Sequence, residues 1–103
     1  MKANVAWLML ACAGTALAAE PPIAPRLEHY RCTICHAERE WLAGPAWADV
    51  AQHYRGNRHA AEIIAARIRA GMHSGGLWHM PPHPEVSQAD ADAMARYILT
   101  VRE

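Results

Sequence analysis

Two cysteines and a histidine lie within five consecutive residues, Cys32-Thr33-Ile34-Cys35-His36. Thiols three positions apart on one turn of chain can both reach the vinyl groups of a single porphyrin, and this spacing is typical of c-type haem attachment. The imidazole of His36 then lies beside the iron and can ligate it through Nε2. Because each residue has a separate task, the motif predicts one haem c per chain, bound by Cys32 and Cys35 and ligated by His36.

Three other uses of this cysteine pair stay open from its spacing alone. A thioredoxin-like redox pair needs a βαβ setting, and the sequence has no strand-forming run after residue 20. A structural zinc site needs four Cys or His ligands, and only one Cys pair accompanies the 7 histidines. A disulfide between Cys32 and Cys35 would close a very short loop and stabilise the chain little. The haem is favoured because it also explains His36.

Residues 1–19 have the pattern of a secretory signal peptide. Lys2 provides a positive start, residues 5–13 are apolar, and Ala16-Leu17-Ala18 matches an A-x-A cleavage site. The apolar run is too short to cross a bilayer. We therefore predict export to the periplasm, no transmembrane segment in the mature chain, and a single domain over residues 20–103.

Cleavage near Ala18 or Ala19 would remove Cys12 and leave the mature chain with the two motif cysteines. Cys12 also follows small and apolar residues, as the lipidated cysteine of a lipoprotein signal does. The leucine expected in such a signal, here Leu10, is one position out of place. Lipidation of Cys12 therefore stays open as an alternative.

Composition narrows the possible functions. The chain has 10 Lys and Arg against 10 Asp and Glu, and it has no basic stripe, so nucleic-acid binding is not expected. The predicted mature domain is short for a self-sufficient core, since chains of this size bury only about 60% of their surface. A flat apolar cofactor would complete such an interior.

Hydrophobic spacing predicts an all-α domain with four helices and no strand. The predicted helices span residues 26–35, 46–54, 59–70 and 87–102. An extended lead-in over 20–25 precedes the first helix, and the haem motif lies at the C-terminal end of that helix. Gly56 and Gly71 follow the second and third helices, and Ser87 with Asp90 forms a capping box for the fourth.

Apolar residues at helical spacing give the predicted core. They are Leu27, Tyr30 and Ile34; Trp47, Val50, Ala51 and Tyr54; Ala61, Ile64 and Ile68; and Ala91, Met94, Ala95, Ile98 and Val101. Val86 precedes the last helix and is placed to pack onto Ala91.

Residues 72–85 form a long loop rich in Gly, His and Pro, and such loops in compact domains are usually functional. An iron ligated by His36 needs a second ligand on its other face. Met80 is followed by Pro81 and Pro82, whose fixed φ angles would hold its thioether at a set distance. We predict Met80 as that second ligand.

Other side chains could also supply the second ligand. Met94 lies on the apolar stripe of the last helix, where Met usually packs, and Met72 directly follows a helix end. His79 and His83 stay open as alternatives. Ligation by His and Met raises the reduction potential relative to two His ligands, and it leaves no open iron position for substrate.

The chain resembles class I cytochrome c of the small bacterial monohaem type from about Arg26 to its C-terminus. The segments with this resemblance are Cys32-Thr33-Ile34-Cys35-His36, Gly44-Pro45-Ala46-Trp47, residues 65–71, Met80-Pro81-Pro82 and Val86-Ser87. The resemblance implies about four short helices around one covalent haem, with the first and last helices crossing near one haem edge.

The resemblance also implies roles for single residues. The Pro45 carbonyl would accept a hydrogen bond from Nδ1–H of His36, which orients the ligand, and Arg67 would pair with a haem propionate. His83 replaces an Asn that often donates to the Met sulfur, so an imidazole there could make the potential depend on pH. Trp78 is expected to shield the ring.

These features predict a periplasmic carrier of single electrons and not an enzyme. It would be a monomer that docks transiently with a redox protein donor and acceptor. A haem subunit fixed to a periplasmic dehydrogenase is the alternative, and an open-iron protein that binds a gas is disfavoured by Met80. We predict that the other histidines outside the ligand loop, His29, His53 and His59, together with His73, are surface residues without a metal.

Overall fold

The computed structural model describes residues 3, 4, 6, 22–73 and 79–103. Its four α-helices are α1 Ile23–His29, α2 Trp47–His53, α3 Ala60–Ala70 and α4 Gln88–Ile98. A 3₁₀ turn spans Cys32–Ile34, and two short strands are β1 Met72–His73 and β2 His79–Met80. The all-α class is therefore confirmed. Apart from residues 3, 4 and 6, the predicted signal peptide with Cys12 lies outside the described residues, as does Trp78.

The core lies between α3 and α4 and extends to α1 and α2. Ala91, Met94 and Ala95 of α4 are fully buried, and Ile64 and Ile68 of α3 belong to the same cluster. All five residues predicted for the buried face of the last helix are buried, although the fifth, Val101, lies beyond the end of α4. No helix within the described ranges is long and apolar enough to cross a membrane.

Helix α4 begins where the sequence predicts and ends earlier. The Ser87 hydroxyl accepts a hydrogen bond from the Asp90 N–H at 3.1 Å, which confirms the capping box. The helix ends at Ile98 and not near Arg102, because the chain tightens into three-residue turns. Thr100 N–H donates to the Tyr97 carbonyl at 2.9 Å, and the Thr100 hydroxyl bonds the same oxygen at 2.6 Å.

The first helix was predicted with the wrong bounds. It starts at Ile23, since Pro25 lies in the first turn, where a missing N–H costs no hydrogen bond. It ends at His29, because Arg31 adopts a left-handed φ of 63° that no helix tolerates. The cysteine motif therefore lies in a separate 3₁₀ turn, and Ile34 is 68% exposed instead of lying on a buried helix face.

The prediction of no strand is also corrected. Strands β1 and β2 pair antiparallel, with Met72 opposite Met80 and His73 opposite His79. A two-residue ladder is too short to show the alternation that identifies a strand in a sequence. Its pairing depends instead on how the chain returns to the end of α3.

Candidate haem-binding site

The two motif cysteines lie on one tight turn. The N–H groups of Cys35 and His36 both donate to the Cys32 carbonyl, at 3.2 and 3.0 Å. Both thiols are half-buried and free, and burial raises the pKa of the Cys32 thiol above its usual value. Cys32 therefore packs against the core as a neutral thiol at neutral pH.

The alternatives to haem find no support around this turn. In the part of the chain that the structure describes, no three His, Cys, Asp or Glu are grouped to hold a metal ion. The helices around the turn, α1 and α2, also give no βαβ setting of the thioredoxin type.

His36 is oriented by a backbone oxygen. Its Nδ1 lies 2.7 Å from the carbonyl oxygen of Pro45, the contact implied by the resemblance. A carbonyl can only accept, so Nδ1 donates its hydrogen to Pro45, and Nε2 is the ring nitrogen left for a metal. The ring also stacks on Trp47, with centroids 6.2 Å apart and planes 19° apart.

Gly44 leaves just enough room for the His36 ring. A Cβ at this position would lie 2.5 Å from Cε1 of His36 and 3.0 Å from both ring nitrogens. The Gly44 N–H donates to the Cys35 carbonyl at 2.8 Å, which holds the glycine against the motif. This side of the site therefore fits a haem iron ligand, with a fixed imidazole, a defined tautomer and a free Nε2.

Helix α2 fixes the segment that follows the motif. The N–H groups of Trp47 and Ala48 donate to the carbonyls of Ala37 and Glu38, at 3.0 and 2.9 Å. These are first-turn N–H groups, which have no partner inside their own helix. The start of α2 thereby satisfies its own donors and anchors the chain that carries His36.

Met80 lies directly over the end of α3. A Cβ on Gly71 would lie 2.7 Å from the Met80 carbonyl oxygen and from Pro82 N, and 2.9 Å from the Pro81 carbonyl carbon. Gly71 also has a left-handed φ of 76°, which favours glycine. The Met80 side chain is half-buried and packs against the core cluster.

The other candidate ligands occupy different environments. Met94 is fully buried among core residues, and Met72 is 43% exposed. His79 is exposed and adjacent to Met80 on β2, so the two side chains point to opposite faces of the strand. His83 is half-buried, and its buried Nδ1 has no hydrogen-bond partner among the described residues.

Arg67 has a partner that the sequence did not predict. A terminal nitrogen of its guanidinium donates to the Tyr54 hydroxyl, and the guanidinium carbon lies 5.8 Å from the centre of the Tyr54 ring. The sequence predicts Tyr54 as a core residue because its ring lies at helical spacing, and this predicts no role for its hydroxyl. Its hydroxyl orients the cation that the resemblance assigns to a haem propionate.

Comparison with known proteins decides the family. The Cytochrome c family model matches residues 15–102. The chain belongs to the cytochrome c family. It is 42% identical over 72 residues to cytochrome c-551 from Azotobacter vinelandii, covering 67% of this chain and 84% of that protein. It is 40% identical over 74 residues to cytochrome c-552 from Nitrosomonas europaea, covering 69% of this chain and 70% of that protein.

A solved structure agrees with this assignment. The crystal structure of wild-type Nitrosomonas europaea cytochrome c552 aligns with a TM-score of 0.70 and 36% identity, covering 77% of this chain and 99% of that one. The chain is thus a class I cytochrome c of the small bacterial type, an electron-transfer protein and not an enzyme. Its cofactor is one covalent haem c, as the motif predicts.

Three long-range contacts hold this cytochrome together around the motif. The Tyr30 hydroxyl donates to Asp90 at 2.6 Å, and Arg26 lies 3.1 Å from the same carboxylate, which ties α1 to α4. The Tyr97 hydroxyl donates to Glu38 at 2.7 Å, which ties α4 to the segment after His36.

Both phenols of these contacts have altered acidity. The hydrogen bond to the Asp90 carboxylate raises the pKa of Tyr30, and the one to Glu38 raises the pKa of Tyr97. In each case the neutral phenol is held by an acceptor that its deprotonated form would lose. The partners lie some 60 residues apart in the chain, so no local sequence signal could have identified them.

Proposed function

We propose that this cytochrome is a periplasmic single-electron carrier with His36 and Met80 as the two iron ligands. In this proposal residues 1–19 are a signal peptide cleaved near Ala18 or Ala19, and residues 20–103 form the mature domain. Cys32 and Cys35 bind the haem through thioether bonds, and the mature protein is a monomer.

The observation that carries the proposal is the hydrogen bond from Nδ1–H of His36 to the Pro45 oxygen, at 2.7 Å. It assigns the Nδ1 hydrogen to the Pro45 oxygen, which leaves Nε2 as the ring nitrogen available to ligate haem iron. With Gly44 and Trp47 on its two sides, the ring has one orientation. A histidine fixed in this way one residue after a cysteine pair is suited to metal ligation.

Two features of the backbone support Met80 as the second ligand. Pro81 and Pro82 restrict the chain directly after it, and the segment packs closely against the end of α3. The Met80 carbonyl and the next two residues contact Gly71 so closely that the segment has little freedom. His79 points away from Met80 across the strand, and Met94 is enclosed by apolar side chains. The thioether of Met80 is therefore the best placed of the five methionine and histidine candidates.

This ligand pair favours electron transfer over chemistry at the iron. Haem c supplies a one-electron change, and the protein sets the ligands and the access of solvent. A neutral thioether opposite a neutral imidazole stabilises ferrous iron and raises the reduction potential relative to two histidines. If His36 and Met80 both ligate the iron, no coordination position would be left open for a substrate.

Redox protein partners would dock transiently on the cysteine side of the domain. Ile34, inside the motif, is 68% exposed, and Trp41 in the following segment is 69% exposed. Exposed apolar side chains beside a redox centre suit brief contacts, since they need no matched charge for each partner. We therefore place the donor and acceptor contacts on this side.

A methionine substitution tests the ligation. In Met80→Ala the haem stays covalently bound, while the far-red absorption band of ferric Met-ligated haem disappears. Met72→Ala is the matched control. It removes the same type of side chain from the residue that lies opposite Met80 in the ladder. A far-red band that survives in Met80→Ala, or that disappears only in Met72→Ala, refutes Met80 as the ligand.

A further inference from the structure

Two histidine rings lie side by side on the surface of the β1–β2 ladder. His73 and His79 are direct cross-strand partners, and their ring centroids are 5.0 Å apart with planes 18° apart. Both side chains are exposed. Neither residue is one of the four proposed haem contacts, and their neighbours Met72 and Met80 occupy the opposite face of the ladder.

This geometry suits a shared transition-metal ion. Imidazole nitrogens bind Zn²⁺ at about 2.0–2.1 Å, which places two such nitrogens on one tetrahedral ion about 3.3 Å apart. Parallel rings 5.0 Å apart can reach this separation by side-chain rotation alone, because the terminal torsion of His has a broad minimum. The strand pairing keeps the two Cβ atoms close, so the backbone need not move.

We propose that His73 and His79 form a second metal site, for a divalent transition ion such as Zn²⁺, Ni²⁺ or Cu²⁺. This replaces the expectation from the sequence that His73 binds no metal. This inference goes beyond electron transfer at the haem and does not depend on Met80 being an iron ligand. Water fills the remaining coordination positions, since both rings face solvent. Imidazole ligands favour these ions over Mg²⁺ and Ca²⁺, which prefer oxygen.

Occupancy would also affect the ladder. An ion held by both rings joins β1 to β2 directly, and the residue after His79 is Met80. An ion that binds only the folded ladder stabilises it by mass action. Zn²⁺ is therefore expected to raise the temperature at which the holoprotein unfolds.

Isothermal titration calorimetry with Zn²⁺ on the oxidised holoprotein tests the site. Zn²⁺ is redox-inert, so the iron keeps its oxidation state during the titration. The expected result is one ion per chain, with affinity reduced about tenfold or more in both His73→Ala and His79→Ala. The double variant should be no weaker than the weaker single variant, because one ring alone does not make the site.

His53→Ala is the matched control, since His53 is also an exposed histidine but packs edge-to-face with Tyr54 and not against another imidazole. It should bind Zn²⁺ as the unsubstituted protein does, and Mg²⁺ should give no heat at the same concentration. Zn²⁺ affinity that is unchanged in His73→Ala or in His79→Ala overturns the proposal. So does an affinity that falls equally in His53→Ala, or the absence of Zn²⁺ binding to the unsubstituted holoprotein.

Discussion

The helical frame, formed by α3 and α4, differs from the ligand segments, residues 36–46 and 79–83, in what keeps it in place. The frame is held by buried apolar volume, with Met94 and Ala95 fully enclosed. The ligand segments are largely half-buried or exposed, and they are held by backbone hydrogen bonds and by two glycines, Gly44 and Gly71.

The two regions should respond differently to substitution. Buried apolar side chains of α3 and α4 form most of the core, whereas His36 and Met80 lie in segments outside the four helices. Removal of side-chain atoms from the frame should therefore lower its stability. Addition of a Cβ at a glycine that contacts a ligand segment should displace that segment. Two substitutions, each with a matched control, separate these two kinds of sensitivity.

The largest effect is expected from Met94→Ala in the frame. Met94 is 0% exposed, and truncation of a buried Met to Ala costs about 2–5 kcal/mol of unfolding free energy. Met72→Ala removes the same atoms from a side chain that is 43% exposed, so it should cost below about 0.5 kcal/mol. Guanidinium unfolding of the holoprotein measures both. Equal losses in the two variants would show that α4 does not depend on this packing.

A smaller loss of stability, with a larger effect on the iron, is expected from Gly71→Ala. The added Cβ would meet backbone atoms of residues 80–82 at 2.7–2.9 Å, so the Met80 segment must shift. The Gly71 backbone, with φ 76° and ψ 179°, lies in a region essentially restricted to glycine, which adds about 1–3 kcal/mol of strain for alanine. The far-red band of the ferric protein should weaken or vanish.

Gly56→Ala provides the control for backbone strain alone. Gly56 has a similar φ of 82°, but nothing lies within 4 Å of its added Cβ. The variant should lose about 1–2 kcal/mol of unfolding free energy through its positive φ and keep the full far-red band. A band that persists equally in Gly71→Ala would mean that this close approach does not position Met80.

The smallest effect concerns the contact that joins the frame to α1. The pKa of Tyr30 is raised above its usual value of 10.0 by the hydrogen bond to Asp90. Its stabilising contribution is therefore complete below pH 10 and is lost as the pH rises through the folded-state pKa. Tyr30→Phe should be slightly less stable at pH 8, and the difference should narrow above pH 10. Parallel stability curves from thermal unfolding across this range would contradict the assignment.

Local signals in the sequence were sufficient for most of the frame. The capping box of Ser87 and Asp90, the glycines after α2 and α3, and the apolar stripe of α4 each act within a few residues. The left-handed Arg31 and the two-residue ladder escaped prediction, because neither produces a periodic pattern. The ladder pairs residues that are six and eight positions apart, and only the folded chain shows which ones meet.

The candidate site divides in the same way. The motif was enough to nominate Cys32, Cys35 and His36, since their spacing alone specifies the chemistry. The placement of the ligand segments nevertheless depends on contacts that the motif does not contain. The fit of Gly44 against His36 and the bond from Tyr97 to Glu38 need the tertiary structure.

Intact mass spectrometry of the exported protein tests the central claim most directly. A host that matures c-type cytochromes should yield a chain that starts at Ala19 or Glu20 and is heavier than its amino acids by one haem. The added mass should be absent when both motif cysteines are changed to alanine. A purified, exported chain with the bare mass of its polypeptide would contradict covalent attachment at Cys32 and Cys35.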